Sequence, residues 1–145
     1  MERNSVILRN GPRISKCCFA LKEFNDKKTS NTLLEHVPCE YSYGINYQKE
    51  YKIIEILISA KINDEDLPFK LEVVTDGQVE INKLVDESEA YKIGLLFGGP
   101  YLFAILKDFV MEITRKAFLN PFIIPPINFD ELVFSDSVSE NNDSE

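Results

Sequence analysis

The chain has 145 residues, room for one domain of ordinary size and little more. Its 44% hydrophobic and 28% charged side chains are those of a globular protein, and 16 Lys+Arg against 24 Asp+Glu give a net charge of -8. That acidity argues against the cationic surface on which nucleic-acid binding and attraction to anionic membranes depend, and points to proteins as partners.

Residues 1–12 read as a loose start that ends in the turn pair Gly11-Pro12. A first strand over residues 14–21 puts Cys17, Phe19 and Leu21 on one face and Lys16, Cys18 and Ala20 on the other. A polar loop over residues 25–32 is closed by Leu33 and Leu34. The second strand has the cleanest pattern: Val37, Cys39, Tyr41, Tyr43, Ile45 and Tyr47 alternate with Pro38, Glu40, Ser42, Gly44 and Asn46. A third, over residues 51–62, carries Ile54, Ile56, Ile58, Ala60 and Ile62 on its inner face and turns at residues 63–66. The fourth begins at Pro68 with Phe69, Leu71 and Val73 inward, and at Asp76-Gly77 it either turns a hairpin or bulges on toward Val79 and Ile81.

From Ser88 the period lengthens to that of a helix, N-capped at Ser88 and running through Phe97 to an interruption at Gly98-Gly99-Pro100. Proline restarts a helix well and continues one badly, so a second helical segment is expected from Pro100 to about Phe118. Its stripe is Leu102, Leu106, Phe109, Val110, Ile113 and Ala117, and Tyr101, Phe103 and Ile105 widen it beyond what one sheet can cover. Residues 120–127 hold three prolines among Phe122, Ile123, Ile124 and Ile127 and must run extended. Residues 128–132 form a short capped helix with Phe129 and Leu132 apolar, and residues 135–145 read as a disordered acidic tail. The organisation is one α+β domain over residues 1–134: a four-stranded antiparallel sheet packed by a long proline-interrupted helix and a short C-terminal helix.

Catalytic machinery is not visible in the pattern, and an enzyme is not expected. His36 is the single histidine, so a His-built metal cluster or a histidine pair is excluded. Gly98-Gly99-Pro100 lies between two helical segments with no lysine in place and reads as a kink, not a phosphate-cradling loop after a strand, and no cofactor or metal is expected. Cys17, Cys18 and Cys39 are odd in number and follow no secretory leader; they read as buried thiols of a reducing, cytoplasmic protein. The longest uncharged stretch, residues 93–106, falls short of the roughly 20 residues of a membrane span, so membrane insertion is not expected. What exceeds the needs of a core is apolar: Leu33-Leu34, the wide helix face, and the proline-locked strip. A contiguous exposed remainder of that kind marks a protein-binding surface.

At the strip, Pro125-Pro126-Ile127-Asn128-Phe129-Asp130-Glu131-Leu132 resembles the closing motif of the SecB family of protein-export chaperones. Phe69-Lys70-Leu71-Glu72-Val73 with Gly77, Val79 and Ile81 resembles that family's last strand, and the helix broken at Gly98-Gly99-Pro100 follows in the same order. The resemblance spans residues 67–133. It implies a homotetramer, a dimer of dimers, whose subunit contacts would cover Tyr101, Phe103 and Ile105. It implies an ATP-independent holdase that keeps non-native polypeptides or preproteins in apolar grooves lined here by Leu33, Leu34, Phe122, Ile124, Phe129 and Leu132, and passes them to the translocase motor SecA. Glu72 matches one acid of the family's SecA-docking face, but Lys70 replaces the neighbouring apolar contact, and Lys16 and Lys22 stand where acids belong. Some SecB-like chaperones instead protect the antitoxin of a toxin-antitoxin pair, which is the alternative reading. The acidity of the chain is concentrated at its end: residues 1–116 carry 16 basic and 18 acidic side chains, a net of -2.

Overall fold

A computed structural model describes residues 6–8, 11–22, 39–117 and 120–132, with side chains for all but the first three. Strands β1 (Val6–Leu8), β2 (Arg13–Leu21), β3 (Cys39–Gln48), β4 (Ile53–Asn63) and β5 (Phe69–Ile81) form one antiparallel sheet. Helix α1 (Glu87–Ile93), a π-helical turn (Gly94–Gly98) and helix α2 (Gly99–Lys116) follow, and a helical turn occupies residues 129–132.

The sheet is four strands wide. β1 and β2 lie end to end along one side of β5, with Leu8 opposite Val79 and Arg13 opposite Asp76; β4 takes the other side of β5, and β3 pairs with β4. The short β1 falls within residues expected to be loose. It forms because β5 does not turn at Asp76-Gly77 but runs on for 13 residues, leaving the edge of Val79 to Ile81 open to a partner. Alternation then assigns Phe69, Leu71, Val73, Thr75, Gly77, Val79 and Ile81 to the buried face of β5 and Ile54, Ile56, Ile58, Ala60 and Ile62 to that of β4. Thr75 is the one polar side chain in this row, and its hydroxyl donates to the Arg13 carbonyl at 3.0 Å.

Helix α1 is capped two residues earlier than expected: Asp86 Oδ1 accepts the N–H of Glu89 at 2.7 Å. The interruption at Gly98-Gly99-Pro100 is not a break. The backbone widens into a π turn in which the Gly99 N–H donates to the Gly94 carbonyl five residues back, and Pro100 enters the first turn of α2, where its missing N–H is harmless. Gly98 lets this turn rest on the sheet, since a Cβ there would lie 1.9 Å from Ile56 Cδ1. The continuous helix Glu87–Lys116 is long and apolar enough by composition to pass for a membrane span, yet Leu95, Leu102, Leu106 and Val110 are buried in the core of this chain.

The cysteine expectation requires correction. Cys17 and Cys18 are exposed on the edge strand β2, and Cys39 is half-buried at the start of β3, the opposite edge of the sheet. Burial pushes the Cys39 thiol up, so it is held protonated. Leu33, Leu34, His36 and the tail at residues 135–145 lie outside the described residues.

Candidate functional site: a groove between β3 and the closing strip

The site is built by the way the chain returns after α2. Its three prolines forbid a ladder, so the strip is tied to the body by side chains. Thr114, buried in α2, donates its hydroxyl to the Val110 carbonyl at 2.8 Å and accepts the N–H of Phe122 at 3.0 Å. The Phe122 ring meets Phe69 edge-on at 5.5 Å, and Phe69 stacks on Phe19 at 5.8 Å. Ile124 follows on the same side, and the Tyr41 hydroxyl donates to the Pro125 carbonyl. Asn128 then caps the final turn, its Oδ1 accepting the Glu131 N–H at 3.2 Å, and Phe129 swings down over Gly99.

Between this strip and β3 an open groove of about 400 Å³ remains. Tyr41, Ser42 and Tyr43 of β3 line one wall, Pro126, Ile127, Asn128, Phe129, Glu131 and Leu132 the other, and Ile58 contributes from β4. The walls are apolar and aromatic, with one carboxylate, Glu131, and no cationic side chain. Tyr41 keeps its proton well beyond the ordinary tyrosine range, first because of burial and then through the neighbouring Cys39, so its hydroxyl remains a donor to the strip. The groove can bury apolar side chains of an extended polypeptide at roughly 25 cal/mol per Å².

Of the residues expected in the groove, Phe129 and Leu132 line it. Phe122 and Ile124 do not: at 4% and 1% exposure they are core residues, because alternation along the extended strip turns them inward and leaves Ile123 outward at 61%. Tyr41, Tyr43 and Ile127, which were not among the expected residues, line the groove as well. Tyr41 and Tyr43 lie on the part-buried face of β3, as its alternation predicts, and the groove runs along that face because β3 is an edge strand.

Phe103 likewise turns into its own chain, 6.1 Å from the Tyr41 ring and 6.4 Å from that of Phe129. Tyr101 at 59% and Ile105 stay exposed, joined by Leu96 and by Phe97 at 54%, so an apolar stripe does lie along the outer side of the helix. On the opposite face of the sheet, Glu72 accepts an ion pair from Lys16 at 3.2 Å, and Arg13 pairs with Asp76 at 2.7 Å. Glu55 accepts from the carboxamides of Asn46, Gln48 and Gln78 at 3.1, 2.9 and 3.2 Å. Among the described residues no cluster of three or more His, Cys, Asp or Glu side chains could hold a metal ion.

A four-stranded antiparallel sheet, a long helix across one face and a strip that returns to a short final helical turn define a SecB-like fold. The chain is similar to the Mycobacterium tuberculosis Rv1957 SecB-like chaperone, solved in complex with a ChAD peptide from the Rv1956 HigA1 antitoxin: TM-score 0.67, 11% identity, 85% of this chain and 91% of that one. A Streptococcus agalactiae protein of unknown function also aligns, with a TM-score of 0.47 and 16% identity over 87% of this chain and 100% of that one. No protein-family model and no curated protein sequence matches the chain.

Proposed function

We propose that this protein is a polypeptide-binding chaperone whose client site is the groove between β3 and residues 126–132. The observation that carries the reading is an open apolar groove with aromatic walls, set in a fold shared with a SecB-like chaperone that was solved with a peptide bound. The groove offers burial and a few polar contacts but no energy-consuming chemistry, so binding is passive and stoichiometric. Light scattering of a chemically denatured enzyme diluted into buffer without ATP tests this: the protein at equimolar amounts lowers the scattering, and an unchanged trace sinks the reading.

Dedication to one antitoxin is the second reading, favoured by the peptide on the similar chaperone and by the pairing of Glu72 with Lys16, which neutralises the acid that would dock SecA. Cells expressing tagged protein separate the two. One co-purifying antitoxin supports dedication, and a broad set of unfolded preproteins supports export. The exposed stripe Leu96, Phe97, Tyr101 and Ile105 is proposed to be covered by further copies in a tetramer, and sedimentation as a monomer at micromolar concentration contradicts that.

A further inference from the structure

We propose that Gly44 and Leu57, on the face of the sheet opposite the client groove, form a docking notch for an aromatic side chain of a protein partner, carried next to a lysine or arginine. Gly44 lies in the middle of β3, opposite Leu57 of β4, and the pairing runs without a shift from Cys39 to Gln48, so the glycine marks no bulge. Its φ is not positive, and a Cβ built on it meets nothing within 4 Å. The fold of this chain therefore does not need a glycine at 44, although a glycine inside a strand weakens it. The remaining reason for one is the close approach of something outside the chain.

With no side chain at 44, Leu57 stays 39% exposed within the sheet, and the two residues floor an open depression of about 470 Å³. A flat floor of glycine backbone and leucine suits an aromatic ring, the group that best covers a strand glycine. The rim is polar, and its charges do not balance. Arg13 is paired with Asp76 at 2.7 Å, whereas Glu55 receives only the neutral carboxamides of Asn46, Gln48 and Gln78. One uncompensated carboxylate therefore stands beside the ring site, and a cation next to the partner's ring complements it. Glu72, paired with Lys16, lies four residues along β5 from Asp76, about 13 Å away, and is not part of the notch.

The test titrates the full chain with the peptide Gly-Lys-Trp-Lys-Gly and follows the Gly44 amide and Leu57 methyl resonances. Both are expected to shift and to saturate at millimolar peptide, and the same peptide with serine in place of tryptophan shifts neither. Gly44→Val fills the notch: its thermal midpoint should rise by about 2–5 °C, as for a strand glycine replaced without a clash, while the peptide binds about tenfold more weakly or worse. Glu55→Gln keeps an acceptor, removes the charge and should weaken binding about two- to fivefold, and Glu72→Gln should change nothing. A lowered midpoint for Gly44→Val means that the chain itself needs the glycine, and overturns the proposal. Unmoved Gly44 and Leu57 resonances, equal binding by wild type and Gly44→Val, or equal shifts with the serine peptide overturn it too. Shifts confined to Ile127 and Leu132 place the peptide in the client groove, which overturns the notch and leaves the groove reading standing.

Discussion

The ring of Phe129 rests on the backbone of Gly99 so closely that a Cβ at position 99 would lie 2.5 Å from Phe129 Cε1. This contact joins the first residue of α2 to the closing turn, and through it the helix sets the depth at which Phe129 and Leu132 stand in the groove wall.

Gly99→Ala is therefore expected to lift Phe129 and deform the groove while the sheet survives. Overpacking of this kind costs about 1–3 kcal/mol. Thermal unfolding should move down by about 3–10 °C, and peptide affinity should fall further than a Phe129→Leu variant alone loses. Gly99→Ala combined with Phe129→Leu should recover part of the stability, since the smaller side chain vacates the ring edge; a strictly additive double variant contradicts the contact.

Thr114 holds the strip to α2 through a single buried hydroxyl. Thr114→Val keeps the shape and orphans the Phe122 N–H, at a cost of about 1–3 kcal/mol. Thr114→Ser retains the acceptor and should lose less. Urea midpoints of the two variants measure the difference, and a valine variant as stable as the serine one removes the hydrogen bond from the account.

Two aspartate substitutions separate core from groove. Phe122→Asp places a carboxylate between Phe69 and the helix and should abolish the cooperative unfolding transition. Leu132→Asp, at a half-buried groove position, should leave the circular dichroism spectrum intact and weaken client-peptide binding about tenfold or more. Retained folding in Phe122→Asp moves that ring out of the core.

Alkaline pH provides a third kind of test. The native pKa values of Tyr41 and Cys39 are raised, so the folded state holds these protons more tightly than the unfolded chain. Their contribution is complete below the unfolded values of about 8.5 for cysteine and about 10 for tyrosine, and is lost as pH rises through and beyond them. Tyr41→Phe should lower stability at neutral pH by removing the bond to Pro125 and should flatten the decline above about pH 10. Parallel pH profiles for wild type and variant contradict the assignment.

The sequence by itself determined which residues share a face. A two-residue period places Ile54, Ile56 and Ile58 inward on β4 whatever lies opposite, and a 3.6-residue period does the same for Leu102, Leu106 and Val110 on α2. The closing motif around Asn128 and Phe129 likewise marks the SecB-like fold independently of the packing. Only the tertiary structure decided what each face meets. Phe103 reads as surplus apolar surface along the helix, but Tyr41 and Phe129 approach it from elements 62 and 26 residues away. The strip at residues 120–127 has no ladder and so no pattern to say which side is in; Thr114 and Phe69 fix Phe122 inward, and Ile123 is left outside. Whether Gly98-Gly99-Pro100 breaks the helix or widens it is a choice between two local backbones. The contacts of Gly98 with Ile56 and of Gly99 with Phe129 make that choice, and they exist only once sheet, helix and strip have come together.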